Sequence, residues 1–203
     1  MIKTVIFDFG QVLVHFEPEY MVGKYVSNAE DKALLEKVLF DRLYWDRLDE
    51  GTISDEEVLT LAKERLPKRL WDVADTIYYN WIYNIPEIDG MRELVVYLKE
   101  RYGVNIYLLS NISTYFSSHR EEIPILSLLD GCVFSGEIGI VKPSREIFQH
   151  LLNKYGATAE ECIFIDDNEK NIKGAKNVNI NVYLFDGNAK ALREYLDNLL
   201  GEK

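Results

Sequence analysis

The sequence predicts an α/β fold, a parallel sheet flanked by helices, with an all-helical segment inserted after the first strand. Two observations carry this. Five short apolar runs, at about 2–7, 104–109, 132–134, 162–166 and 180–185, read as buried strands, and helical patterns separate the last four, which is the rhythm of βαβ units. From about Phe16 to Asn84 no strand-like run occurs, although a simple crossover needs only one helix. At 203 residues and 47% hydrophobic composition, the chain can bury a full α/β core and a modest second lobe.

The first run, Thr4-Val5-Ile6-Phe7, ends in Asp8-Phe9-Gly10. A strand that delivers a carboxylate to its C-terminal end can place a nucleophile or metal ligand there, and equally often it only starts a turn. In the inserted segment, amphipathic patterns near 30–48, 54–66 and 69–84 predict helices, the middle one opened by Ser54-x-x-Glu57 in the form of a capping box. Trp45, Trp71, Trp81, Tyr78, Tyr79 and Tyr83 fall at helical spacing, which favours a packed bundle core over a pocket lining. Met91, Leu94, Val95 and Leu98 line one helix face before Gly103.

The second run closes as Leu108-Leu109-Ser110-Asn111. Val141-Lys142-Pro143 then sets a lysine before a helix whose N-cap is expected at Ser144 and whose apolar face is Ile147, Phe148, Leu151, Leu152 and Tyr155. The fourth run, Ile163-Phe164-Ile165, leads into Asp166-Asp167. In an open parallel sheet, side chains at strand C-termini converge on one crevice, so a carboxylate, a hydroxyl, a lysine and a carboxylate pair can share a site. That set suits a phosphate and a divalent cation.

Composition narrows the partners. A net charge of −11 argues against nucleic acid, which is bound by basic patches. No apolar stretch reaches the roughly 20 residues of a membrane span, and Met1-Ile2-Lys3 leads straight into a strand, so a cytoplasmic protein is expected. Cys132 and Cys162 lack C-x-x-C spacing and read as buried thiols; His15, His119 and His150 are scattered, against a zinc site. With no long apolar dimer stripe, a monomer is expected.

The segments Phe7-Asp8-Phe9-Gly10-Gln11-Val12-Leu13, Leu109-Ser110-Asn111, Gly139-Ile140-Val141-Lys142-Pro143 and Phe164-Ile165-Asp166-Asp167-Asn168 resemble the four motifs of the haloacid dehalogenase superfamily. More narrowly they resemble its small phosphatases of glucose 1-phosphate. The resemblance implies a Rossmann-like core over 1–15 and 85–203 and a helical cap domain over 16–84. It implies Asp8 as a nucleophile that forms an aspartyl-phosphate, and Mg²⁺ held by Asp8, the Gly10 carbonyl and Asp167, with Asp166 in the second shell or acting through water. Lys142 would bridge nucleophile and phosphoryl oxygens, while Ser110 and the Asn111 amide donate to the remaining oxygen. The expected substrate is a small phosphate ester, such as a hexose 1-phosphate.

One departure matters. Most phosphatases of this superfamily carry a second aspartate two residues after the nucleophile, and here Gly10 stands there. General acid–base help is worth roughly 10²- to 10⁴-fold, so either the leaving group is an easy one, as an anomeric oxygen is, or another group replaces it. Glu17, and less readily His15, are the candidates by proximity in sequence; Glu17 beside Pro18 also reads simply as the start of the first inserted helix. Two rival functions share the motifs: a dehalogenase, which needs no Mg²⁺ and leaves the Asp166-Asp167 pair surplus, and a non-catalytic phosphosugar-binding regulatory module.

Overall fold

The computed structural model describes residues 1–201. In chain order the elements are β1 (Thr4–Phe7), α1 (Pro18–Gly23), α2 (Ala29–Leu39), α3 (Arg42–Asp49), α4 (Asp55–Glu64), α5 (Trp71–Asn80), α6 (Met91–Tyr102), β2 (Asn105–Ser110), α7 (Thr114–Ser118), β3 (Gly131–Phe134), α8 (Ser135–Ile138), α9 (Arg145–Tyr155), β4 (Cys162–Asp166), α10 (Glu169–Lys176), β5 (Asn181–Leu184) and α11 (Ala189–Gly201). The five strands form one sheet in the order β3-β2-β1-β4-β5, and every pairing is parallel. Central β1 sits between β2 and β4, with Phe7 level with Leu108 on one side and Ile165 on the other. The strand order reverses direction at β1, which is where an open α/β sheet leaves a crevice.

Side-chain alternation divides the core. Val5, Phe7, Ile106, Leu108, Ile163 and Ile165 face α6 and α11 through Leu94, Val95, Leu98, Leu192 and Leu196. Ile6, Tyr107, Leu109 and Phe164 face α9 and α10 through Ile147, Phe148, Leu151, Ile172 and Ala175. Burial on both faces explains why these strands read as continuous apolar runs.

The inserted helices build their own core from Val22, Leu35, Val38, Leu39, Val58, Leu59, Ala62, Ala74, Ile77 and Tyr78. Trp45 and Trp81 belong instead to the sheet-side cluster. They meet each other and Phe16 edge-on at centroid distances of 5.2–5.6 Å, and Trp81 stacks on Phe116 at 5.6 Å. The bundle-core reading therefore holds for Tyr78 and for the partly buried Trp71 and Tyr79, while Trp45 and Trp81 form the seam to the sheet and Tyr83 is exposed.

The helix expected near 30–48 is two helices. After Leu39 the chain leaves helical geometry at Phe40, and the Asp41 carboxylate accepts from the Leu43 amide at 3.0 Å, capping a new start. The pattern near 69–84 likewise resolves into α5 and a short 3-10 turn, Trp81–Tyr83. Ser54 caps α4 as expected, accepting from the Glu57 amide at 3.1 Å. Ser144 stands at the N-cap of α9, but its hydroxyl does not bond to the helix amides and is buried without a partner. Cys132 and Cys162 are free thiols, and no described helix is long and apolar enough to cross a membrane.

Candidate active site

At the C-terminal edge of the sheet, the ends of β1, β2 and β4, the 142–143 loop and α3 enclose a cleft of about 220 Å³. Asp8 follows β1 directly, its amide held by the Ile165 carbonyl at 2.9 Å. The loop beyond it folds back tightly, with the Leu13 amide on the Phe9 carbonyl at 2.9 Å and the Gln11 amide on the Val14 carbonyl at 2.7 Å. Gln11 takes a φ of 57°, a conformation that a non-glycine residue adopts rarely and that clusters at functional sites.

Lys142 is the buried centre of the arrangement. Its Nζ lies 2.7 Å from Asp8 Oδ1 and 2.8 Å from Asp166 Oδ2, with the side chain 1% exposed. Burial alone would push this ammonium down, but the two carboxylates outweigh it and hold Lys142 above its ordinary value. Asn111 fixes its backbone: the Lys142 amide donates to Asn111 Oδ1 at 2.7 Å, and Asn111 Nδ2 donates to the Lys142 carbonyl at 3.0 Å. The Asn111 side chain is thereby spent on positioning the lysine loop, a task its place after β2 does not disclose.

Close backbone approach completes the loop's seat. A Cβ on Gly174 of α10 would lie 2.5 Å from the Pro143 carbonyl oxygen, so only glycine lets α10 pack there.

The acid pair divides its labour. Asp166 is fully buried, and both its oxygens are occupied by Lys142, by Asn171 Nδ2 at 3.0 and 3.1 Å, and by the Asn168 amide at 2.8 Å. Asp167 is exposed at the cleft wall, and partial burial followed by the charge of Asp166 raises its carboxyl above the usual range. Carboxylate oxygens of Asp8, Asp166 and Asp167 all lie within 4.8 Å of one another. Three hard oxygen donors against one buried lysine leave a negative excess, a donor set that a hard divalent cation fits. Burial drives Asp8 up to about 6; Lys142 opposes the rise and Asp166 adds to it.

Ser110 is 3% exposed at the end of β2, and its hydroxyl makes no hydrogen bond to a described residue while lining the cleft. Gly10 lines the same wall, and a Cβ there would meet only Phe16 Cβ at 3.6 Å. Space alone therefore does not impose glycine at that position.

Glu17 does not reach the site. Its carboxylate lies in a separate groove with Glu19, Tyr20, Lys24 and Lys32, and its nearest basic group is His15 Nδ1 at 3.8 Å. The His15 amide bonds to the Pro86 carbonyl at 2.8 Å, and the helix that begins at Pro18 carries Glu19, Tyr20 and Gly23 into the same separate groove. Proximity in sequence to the nucleophile thus does not bring Glu17 into the lining of its cleft. From the inserted segment α3 faces the cleft through Arg42, Trp45 and Asp49, joined by Trp81. Asp49 was not singled out by the sequence; the available signal is its place four residues after buried Trp45 on an apolar helix face.

With this geometry in view, comparison with known proteins is decisive for the family. The profile of haloacid dehalogenase-like hydrolases matches residues 2–179. The chain belongs to the haloacid dehalogenase-like hydrolases. Among curated relatives of this hydrolase is a D-ribitol-5-phosphate phosphatase of Bacteroides thetaiotaomicron, 26% identical over 192 residues, covering 90% of this chain and 91% of that one. Among solved structures, a haloacid dehalogenase family enzyme of the same organism, in complex with magnesium and inorganic phosphate, superposes with a TM-score of 0.72 at 21% identity, over 95% of this chain and 99% of that chain. A dehalogenase superposes almost as well, with a TM-score of 0.70 at 18% identity over 100% of this chain and 98% of that one. Backbone likeness therefore establishes the hydrolase fold, and the choice of reaction rests on the cleft.

Proposed function

We propose that this haloacid dehalogenase-like hydrolase is a Mg²⁺-dependent phosphomonoesterase of small sugar or polyol phosphates, working through an aspartyl-phosphate on Asp8. The observation that carries the reading is the acidic excess around one buried cation: among the described residues Asp8, Asp166 and Asp167 gather about Lys142, which is ion-paired to the first two. A bare carboxylate attacking carbon, as in a dehalogenase, gives Asp167 no task and leaves its charge beside Asp166 unbalanced. A phosphoryl group arriving with a divalent cation uses every member of the set.

In that reading Asp8 attacks phosphorus in line, and the lysine at 2.7 Å lowers the repulsion between the two anions as they meet. Ser110 donates its free hydroxyl to a phosphoryl oxygen, and the amide of Asn111 does the same. Asp8, Asp167 and the Gly10 carbonyl would hold Mg²⁺, and Asp166, saturated by Lys142, Asn168 and Asn171, acts from behind them. When bound, the cation neutralises charge developing on the phosphoryl oxygens. The helices of 16–84 act as a cap domain over the core of 1–15 and 85–203, excluding water and meeting the leaving group.

Two substrate types fit. A hexose 1-phosphate has the more acidic anomeric leaving oxygen, which suits a motif with Gly10. An open-chain polyol phosphate is favoured by the relative named for D-ribitol 5-phosphate. The test is phosphate release from hexose 1-phosphates, hexose 6-phosphates, D-ribitol 5-phosphate and p-nitrophenyl phosphate, with Mg²⁺ or with EDTA. Turnover that EDTA abolishes and Asp8→Asn reduces by at least about 10³-fold is expected. Turnover of haloacids without metal, or phosphate binding with no hydrolysis, would overturn the reading.

A further inference from the structure

The motif that should supply a proton supplies only Gly10, and Glu17 faces another groove. The described residues hold another carboxyl in the wall of the cleft. Asp49, at the last turn of α3, is 8% exposed, makes no hydrogen bond or ion pair with a described residue, and lines the same cleft as Asp8, Ser110 and Lys142. A carboxyl so buried is ordinarily paired, because desolvation without a partner is costly. Two residues further on, Gly51 has φ 66°, and a Cβ there would lie 2.8 Å from the Gly136 carbonyl oxygen, so the chain leaving α3 packs tightly on α8.

Resting on the phosphomonoesterase reading, we propose that Asp49 of the inserted helices is the general acid–base of this enzyme, taking the place of the absent second motif aspartate. In the first step, the Asp8 carboxylate forms the Asp8–phosphorus bond, the bond from phosphorus to the substrate oxygen breaks, and the Asp49 carboxyl gives that oxygen its proton, releasing the alcohol. In the second, the Asp49 carboxylate takes a proton from water as the water oxygen bonds to phosphorus. The Asp8–phosphorus bond breaks, releasing inorganic phosphate and restoring both carboxyl groups.

Electrostatics agree with such a dual role. Burial pushes the Asp49 carboxyl up to about 7; Arg42 on the same helix opposes the rise, Asp46 and Asp8 add to it, and Lys142 across the cleft opposes it. A group near neutrality can both give and take a proton. Arg42 itself is drawn to Asp46 at 2.5 Å and leaves Asp49 unpaired. An acid borne by the cap also frees the enzyme from needing an anomeric leaving group.

The experiment compares wild type, Asp49→Asn and Asp49→Glu on the best primary alkyl phosphate of the panel and on p-nitrophenyl phosphate, whose leaving group needs no proton. In Asp49→Asn, kcat/KM for the alkyl phosphate is expected to fall roughly 10²- to 10⁴-fold. For p-nitrophenyl phosphate it stays within about tenfold, with a stoichiometric nitrophenolate burst and a slow steady state, because hydrolysis of the phosphorylated Asp8 has lost its base. Asp49→Glu should recover part of the alkyl activity. Equal losses on both substrates, or alkyl turnover unchanged in Asp49→Asn, would overturn the assignment. Failure of the phosphatase reading looks different, since the wild type would then release no phosphate or Asp8→Asn would stay active.

Discussion

Burial beside Lys142 leaves the Asp8 carboxylate disfavoured in the folded protein. The folded protein holds the Asp8 carboxyl at about 6, above its ordinary 3.8, so its ionised form is disfavoured by folding. The cost is absent below pH 4, grows as pH rises toward 6, and is complete above it. Asp8→Asn removes the cost while keeping the shape. In EDTA at pH 8 the variant should therefore melt higher than wild type by at least about 3 °C, where 1 kcal/mol moves Tm by roughly 2–4 °C in a chain of this size. The gap should narrow at pH 5, and adding Mg²⁺ should raise the wild type more than the variant. Thermal melts at the two pH values, with and without metal, check the sign; a variant that melts lower at pH 8 would mean that the Lys142 pairing outweighs the burial.

At the level of elements, the seating of the 142–143 loop on α10 is the joint that keeps Lys142 in place. Gly174→Ala would drive a methyl to 2.5 Å from the Pro143 carbonyl oxygen and 2.9 Å from its Cβ, and overpacking of this kind costs about 1–3 kcal/mol. Tm and kcat should fall together. Gly23→Ala, whose added carbon meets only the flexible tip of Lys32 at 3.4 Å, should leave both nearly unchanged. Legibility in the sequence follows the same division. Asp8, Ser110, Lys142 and Asp166-Asp167 stand out because each ends an apolar run or precedes a helix, and parallel strands carry such ends to one edge. The break at Phe40–Asp41 was hidden by an amphipathic pattern that runs through it, and only the Asp41 cap reveals it. The side-chain work of Asn111, the turning away of Glu17 and the exposure of Asp49 to the cleft depend on how separate elements meet, which periodicity along one element does not encode.

Across the whole molecule, the two apolar cores meet at an aromatic seam, and that seam borders the cleft. Phe16, Trp45 and Trp81 all line the cleft, and Trp45 and Trp81 lie 5.3 Å apart, while Trp71 is held within the inserted helices by hydrogen bonds to the Lys63 and Leu66 carbonyls. A cap that moves over bound phosphate must change the surroundings of Trp45 and Trp81 and leave those of Trp71 alone. Titrating inorganic phosphate into the Mg²⁺-loaded protein should therefore shift the tryptophan emission saturably. The shift should survive Trp71→Phe and shrink by at least about half in Trp45→Phe, whose smaller ring keeps the seam filled. Because Asp49 shares α3 with Trp45, the same movement sets the distance between the proposed acid and the leaving oxygen. An emission change unaffected by Trp45→Phe would place the motion elsewhere and leave α3 as a fixed wall of the site.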